Sequence, residues 1–361
     1  MKKKRIGILN GGGDVPGLNA VIASIVKTAH NHNFDCVGFL KSYEGLLDDN
    51  CDIPLNLKNV WEITGRGGTI LKSVNKGRFS GKIGSGDLNA IDPMIINLAK
   101  NNLKKLEIDT LIVIGGDGTL SSAIQLQKAG VNIVGVPKTI DNDIRETDMT
   151  FGFSTAVDII VDLIDKLRTT ASSHDRVFLV ETMGRHTGWL ALYGGLAAEA
   201  DMILIPEIKF NYASIISSIK ENKKQGKHYQ IIVVAEGAQV DGNKVYREKM
   251  EKQESLFGGI TNLITHEIGE ELGEDFELRN MIIGHVQRGG SPVSYDRILS
   301  QRFGEAAVKA VVDNEYGKMV ALKGNKIELV NLKKAVESLK LIELDNEIVQ
   351  TCRGLGISFG D

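Results

Sequence analysis

Disulfide chemistry has little to work with in this chain. Three cysteines, Cys36, Cys51 and Cys352, are scattered through 361 residues with no CxxC pair. An odd, scattered set fits a reducing cytoplasm better than a disulfide framework. Proline is scarce, at six residues, and no Pro- or Ser-rich linker marks a domain boundary. The net charge is only −3, which argues against a general nucleic-acid or anionic-membrane surface. Any anion must therefore be held by local arginines and glycines. No apolar run approaches the length of a membrane span, and the apolar stretch in MKKKRIGILNGGG is too short for a signal peptide. The expectation is a cytoplasmic protein. Fixed-period repeats and low-complexity stretches are also missing.

What is there is an ordinary globular composition, 42% hydrophobic and 25% charged, with 40 glycines gathered at turn sites. The length suggests two domains with a sizeable core. Short β-branched runs alternate with helical patterns throughout, so the class is α/β with mainly parallel sheets. The spacing of Leu88, Ile91, Ile95, Leu98 and Leu106 predicts an amphipathic helix over 88–106. A second helix is expected over about 255–272.

The chain is organised around residues 111–143. Leu111 to Ile114 reads as a buried strand and runs into Gly115, Gly116, Asp117, Gly118 and Thr119, after which a helical pattern leads to Gly130. A second run, Val131 to Val136, ends in Pro137, Lys138, Thr139, Ile140, Asp141, Asn142 and Asp143. Open α/β sheets bind ligands at the carboxyl ends of their strands. Glycines there let the backbone approach a ligand, and the following helix offers unpaired N–H groups to an anion. A carboxylate such as Asp117 inside a phosphate cradle makes sense with a divalent metal between them. Asp141 and Asp143, two residues apart, face one side if the segment is extended, one suited to take a proton from a hydroxyl and the other to metal or orientation.

Two further glycine-rich stretches precede this unit. Arg5 to Leu9 reads as a strand delivering Asn10, Gly11, Gly12, Gly13 and Asp14 to a helix from about Asn19. It lacks GxGxxG spacing, so dinucleotide binding is not favoured. Residues 64–81 form a basic loop in which Arg66, Lys72, Lys76 and Arg78 either meet phosphates or are solvated. In the second half, Arg176, Arg185, Glu236, Arg279, His285 and Arg288 fall at strand ends, and arginine suits planar recognition of phosphate. Carboxylates and arginines sharing a site describe phosphoryl transfer, which needs positioning, metal and positive charge more than covalent chemistry.

In order and spacing, GGGDVPGLNA (11–20), GGTIL (67–71), IGGDGT (114–119), PKTIDND (137–143), ETMGRHTGW (181–189), AEG (235–237) and GHVQRGGSP (284–292) resemble the 6-phosphofructokinases over roughly residues 3–310. The resemblance implies a phosphofructokinase fold of two three-layer αβα domains with the active site between them. It places residues 1–152 and 287–337 in a donor domain, 153–286 in a sugar-phosphate domain, and 338–361 in a tail on the second domain. It also implies ATP and fructose 6-phosphate as substrates, Mg2+ near Asp117, and a dimer or tetramer with shared sites. Donor contacts then fall on Gly13, Lys76, Arg78, Gly116, Asp117, Gly118 and Thr119. Asp141 matches the base that accepts the sugar 1-hydroxyl proton, with Thr139, Ile140 and Asp143 around it. Met183, Gly184 and Arg185 match the substrate loop, with Arg185 also near the transferred phosphoryl group. Glu236, His285, Val286, Gln287 and Arg288 match sugar-phosphate contacts, and Arg176 and Arg279 match arginines reaching in from a neighbouring subunit.

Three positions depart from the regulated bacterial enzymes of that family. Lys72, Ser73, Val74, Asn75 and Lys76 replace a serine–arginine-type stretch. Ala23 stands in place of an effector-binding arginine, which implies weak control by phosphoenolpyruvate or ADP. Lys138 replaces a glycine and resembles the pyrophosphate-using and mixed-substrate branch. Against that, Gly118 stands where pyrophosphate users resemble one another in carrying aspartate. The competing expectations are a pyrophosphate donor, another acceptor such as sedoheptulose 7-phosphate, a relative of NAD or lipid kinases through GGDGT alone, and a catalytically silent subunit.

Overall fold

A computed structural model describes residues 3–74, 77–79, 91–240 and 259–361. In chain order its elements are β1 (Arg5–Asn10), α1 (Leu18–Asn31), β2 (Asp35–Phe39), β3 (Asp52–Leu55), α2 (Pro93–Lys105), β4 (Thr110–Gly115), α3 (Asp117–Lys128), β5 (Ile133–Pro137), α4 (Phe153–His174), β6 (Arg176–Thr182) and α5 (Trp189–Ala197). They continue with β7 (Met202–Leu204), α6 (Tyr212–Lys224), β8 (Gln230–Ala235), α7 (Ile260–Leu272), β9 (Glu277–Ile282), α8 (Ser294–Val312), β10 (Lys318–Lys323), β11 (Lys326–Asn331), α9 (Leu332–Ala335) and α10 (Glu347–Gly354). The chain divides into two units, Met1–Thr155 with Arg288–Leu339, and Ala156–Gln287 with Lys340–Asp361. Among the described residues no helix is long and apolar enough to cross a membrane.

The first unit is built on a seven-stranded sheet in the order β11-β10-β5-β4-β1-β2-β3. β2, β1, β4, β5 and β10 run parallel, and the two edge strands, β3 and β11, are antiparallel to their neighbours. One face, with Leu9, Val37, Leu111, Val113 and Met319, is covered by α2, α3 and α9 through Ile96, Ala99, Leu103, Ala123 and Leu332. On the other side α1 and α8 pack together closely enough that Gly304 faces Ser24. Ala23 of α1 is 1% exposed, so the position belongs to this helix packing.

The second unit is a four-stranded parallel sheet, β7-β8-β6-β9. Val177, Leu179, Ile232 and Val234 face α6 and α7 in one apolar cluster. Opposite them, Gly195 of α5 lies on Ile203 and Val233, and Gly194 lies on Ile160 of α4.

Three expectations change here. The helix expected over 88–106 starts at Pro93, with Asp92 capping Met94 N–H at 2.8 Å. Its buried residues are Ile96, Ala99 and Leu103, while Leu98 is 42% exposed; Leu88 lies outside the described residues, as does 255–258 of the other expected helix. The 139–143 segment is not extended. Thr139 Oγ1 accepts Asp141 N–H at 3.0 Å, and Asn142 adopts a left-handed φ of 51° while its side chain accepts Thr150 N–H at 3.1 Å. The two-residue alternation that would put Asp141 and Asp143 on one face therefore does not hold. Finally, Arg176 opens β6 and Arg279 is the third residue of β9, so neither stands at the carboxyl end of a strand.

Candidate active site

In the first unit the ends of β1, β4 and β5 lie side by side. Asn10 is in register with Ile114, and Gly115 with Pro137. Gly11 N–H donates to Ile114 O at 3.0 Å, and Lys138 N–H to Gly115 O at 2.9 Å. The glycine-rich turn at 11–13, the GGDGT turn and the KTIDND turn thus meet at one sheet edge. At Gly115 any side chain would collide with Thr119, whose Cβ lies 2.3 Å from the position of an added Cβ. Gly116 caps α3, and Asp117 lies in its first turn, half-buried. The free N–H groups of that turn favour an anion.

Buried amides shape the loop over this edge. Asn10 Nδ2 donates to Lys72 O at 2.8 Å, and its Oδ1 accepts from Thr69 Oγ1 at 2.8 Å. Asn19 Nδ2 donates to Arg66 O and Gly67 O at 3.1 and 3.2 Å, and its Oδ1 accepts Ile70 N–H at 2.8 Å. Asn10 ends β1 immediately before GGGDVPGLNA and Asn19 lies inside that motif, and this placement around a glycine-rich strand-to-helix turn is the signal that identifies them. Arg78 is committed elsewhere: its guanidinium pairs with Glu44 at 2.7 Å and Asp48 at 2.5 Å. Lys76 lies outside the described residues.

Lys138 is the most unusual group of the unit. It is 3% exposed, and Nζ donates to Gly13 O at 2.6 Å. Burial, reinforced by the Arg288 cation, lowers its pKa from 10.5 to about 8, while Asp141, Asp14 and Asp143 oppose the fall. Arg288 itself reaches Asp14 O at 3.4 Å, beside the 11–13 turn.

In the second unit the carboxyl ends of β6, β8 and β9 also meet. Glu236 N–H donates to Thr182 O at 2.9 Å, Ile283 N–H to Glu181 O at 3.0 Å, and Gly237 N–H to Gly184 O at 3.1 Å. Met183, Gly184, Arg185, Glu236 and His285 are brought together on this edge. Gly184 has φ 128°, a conformation that side chains avoid. Arg185 Nε lies 3.7 Å from Glu236 Oε1, the arginine half-exposed and the glutamate nearly buried. His285 and Val286 are exposed, whereas Gln287 is wholly buried: its Oε1 accepts Met183 N–H at 3.2 Å and its Nε2 donates to Gly284 O at 2.9 Å. Arg176 and Arg279 lie apart from this edge, both paired with Glu277, Arg176 at 2.8 Å. The seven residues of β6 put Arg176 roughly 20 Å of strand away from Thr182.

Two carboxylates of this unit escaped the sequence reading. Glu181, 1% exposed, accepts Gly259 N–H, Thr261 N–H and Thr261 Oγ1–H at the start of α7. Glu207 accepts Gly188 N–H at the start of α5. A carboxylate at or just past the end of an apolar strand, as in FLVET and ILIPE, is the sequence signal for both.

Glycine turns and carboxylates at the carboxyl ends of parallel strands, with arginine, glutamate and histidine at those of a second sheet, define an α/β protein of the kind that handles phosphorylated ligands. The sequence profile of the Phosphofructokinase family matches residues 5–311, and the chain belongs to that family. It is 45% identical over 362 residues to the ATP-dependent 6-phosphofructokinase of Chloroflexus aurantiacus, covering 100% of this chain and 99% of that one. It is also 44% identical over 345 residues to the pyrophosphate--fructose 6-phosphate 1-phosphotransferase of Amycolatopsis mediterranei, covering 94% and 97%. Among solved structures, phosphofructokinase from Saccharomyces cerevisiae is similar with a TM-score of 0.78 at 31% identity, over 93% of this chain and 45% of the yeast chain.

Proposed function

We propose that this chain transfers the terminal phosphoryl group of ATP to the 1-hydroxyl of fructose 6-phosphate, giving fructose 1,6-bisphosphate and ADP. The observation that carries the proposal is the junction of β4 and β5, where the GGDGT and KTIDND turns are joined through Lys138 N–H and Gly115 O.

Asp141 is the base that takes the 1-hydroxyl proton, its turn held by Thr139. Asp143 and Ile140 complete that turn. The Gly116–Thr119 turn at the start of α3 receives donor phosphate oxygens on backbone N–H groups, and Gly13 lies beside it on the neighbouring strand end. Arg185, balanced by Glu236, offsets charge on the moving phosphoryl group. Met183, Gly184, His285 and Arg288 belong with the sugar phosphate. Arg176 and Arg279, paired with Glu277 away from the carboxyl ends of their strands, serve the site of a neighbouring copy in a dimer or tetramer.

Mg2+ takes one or two carboxylates together with substrate phosphates. Asp117 in the first turn of α3 suits that mode, and among the described residues no cluster of His, Cys, Asp and Glu offers an all-protein cage. When bound, the ion neutralises charge between donor phosphates.

Two residues bear on the donor. An aspartate at position 118 would place a carboxylate against the nucleotide's α-phosphate, at about 4 Å a repulsion of roughly 4 kcal/mol at an effective dielectric of 20. Gly118 imposes none. Lys138 favours pyrophosphate through its charge but excludes nothing, and its ammonium is tied to Gly13 O. Exclusion decides, so ATP is the donor. The test is a matrix of ATP and pyrophosphate against fructose 6-phosphate and sedoheptulose 7-phosphate, with Mg2+ or EDTA. ATP with fructose 6-phosphate and Mg2+ gives the highest kcat/KM. A higher value with pyrophosphate overturns the donor assignment, and no turnover of fructose 6-phosphate overturns the whole reading.

A further inference from the structure

The loop that carries Arg185 is fixed at both ends, and the two anchors differ in kind. At its start, Met183 N–H is held by Gln287 and Gly184 O by Gly237 N–H. At its end, Gly188 N–H is shared by both oxygens of Glu207, at 3.1 and 3.0 Å. Gly188 caps α5 and brings no side chain of its own to that helix start, so Glu207 supplies the anion that the helix N-terminus favours. Glu207 comes from the loop after β7. Contact there is tight: a Cβ at Gly188 would lie 2.4 Å from Ile205 and 3.0 Å from Glu207 Oε2.

The same carboxylate reaches a third element. Glu207 Oε1 accepts Ile342 N–H at 3.2 Å, just past the point where the chain re-enters the second unit at Lys340. The contact is doubled next door, where Trp189 Nε1 donates to Lys340 O at 2.7 Å and Lys340 Nζ lies 5.3 Å from the indole ring. One half-buried carboxylate therefore joins the exit of β7, the start of α5 and the first residues of the C-terminal segment.

We infer that Glu207 is a positioning residue for phosphoryl transfer: by clamping Gly188 and Ile342 it sets the far end of the Gly184–Gly188 loop and so the placement of Arg185. This rests on the role proposed above for Arg185. Gly188 and Ile342 both present N–H groups. A glutamine at 207 keeps one acceptor oxygen, but its NH2 takes the place of Oε2, 3.0 Å from the Gly188 nitrogen, where donor faces donor and the clamp on Gly188 is weakened. The loop then keeps its first anchor and has its second weakened, and a misplacement of the order of 1 Å at a charged group is worth up to about 10²-fold in rate.

The experiment compares wild type, Glu207→Gln and Trp189→Phe, each as the full chain, by steady-state kinetics and by amide hydrogen exchange. Wild-type turnover of fructose 6-phosphate is measured first, so that failure of the functional reading is seen separately. For Glu207→Gln, kcat falls roughly 10- to 100-fold, KM for ATP stays at the wild-type value, and exchange accelerates in 184–188 but not in β6 or β8. Trp189→Phe, which removes the indole donor to Lys340 O while keeping an aromatic ring, shows a smaller change in the same direction and carries the test if Glu207→Gln does not fold. Wild-type kcat in both variants overturns the inference. So does a loss of activity accompanied by faster exchange across the whole second unit, because that is the mark of a merely structural residue.

Discussion

Replacing Lys138 with methionine removes a buried charge while keeping an unbranched side chain of similar size, and it should change stability and activity in opposite directions. The fall of the lysine pKa from 10.5 to about 8 corresponds to roughly 3 kcal/mol of differential interaction. Between those two pH values the folded chain holds Lys138 neutral while the unfolded chain still protonates it, so the unfolded state binds more protons and stability rises with pH. Below pH 8 the charged form is present in both states and the full burden is carried. The wild type should therefore gain roughly 3 kcal/mol relative to Lys138→Met as the pH moves from below 8 to about 10.5. Urea unfolding of both proteins at matched pH, without ligands, measures the difference and cancels every other titrating group. Activity supplies the second arm. If the ammonium is needed, wild-type kcat/KM declines as pH rises through about 8, because that ratio reports groups of the free enzyme. Lys138→Met should be slower at neutral pH, lack this decline and still prefer ATP. Parallel stability curves for the two proteins, or the same alkaline decline in the methionine variant, would refute the reasoning.

Asp141→Asn keeps the shape of the base but cannot accept a proton, so kcat should fall by about 10²–10⁴-fold with little change in acceptor binding; a near-normal kcat removes Asp141 from that role. Mixing inactive Asp141→Asn subunits with inactive Arg279→Ala subunits should restore part of the activity, and none after verified subunit exchange counts against shared sites. Gly118→Asp should abolish most ATP turnover while leaving the fold intact by circular dichroism, whereas retained kcat/KM for ATP would show that position 118 does not meet the α-phosphate.

The glycine turns were legible in the sequence because each follows a β-branched run and opens a helical pattern, two periodicities that change at a fixed point. The sheet order adds what a linear reading cannot, that the ends of β1, β4 and β5 are neighbours. β3 went unnoticed because it is a four-residue edge strand containing Pro54, with too few residues to establish an alternation. The shape of the TIDND turn was misread for a different reason. Its conformation depends on two side-chain acceptors, Thr139 Oγ1 for Asp141 N–H and the Asn142 amide oxygen for Thr150 N–H, which compete locally with extended backbone. Gln287 looked like a ligand contact within GHVQRGG, but its amide is used up inside the protein. Glu207 is signalled only by its place after the apolar run of ILIPE, and its partners, Gly188 N–H and Ile342 N–H, are backbone groups that a linear reading does not bring to it.

The first unit's sheet is assembled from pieces made at very different times. β5, every residue of it buried, takes β4 on one side and β10 on the other. β10 begins at Lys318, about 180 residues after β5 ends at Pro137, and the larger segment of the second unit, Ala156–Gln287, is synthesised in between. At about 5–20 residues per second that interval is roughly ten to forty seconds. Throughout it, the nascent chain displays an unpaired, apolar strand edge of the sort that invites pairing with another chain. The hazard in producing this protein is thus vectorial. Slow translation beyond residue 155 prolongs the exposure of β5, and a chaperone bound to nascent chains in that window should raise the soluble yield more than one added after release.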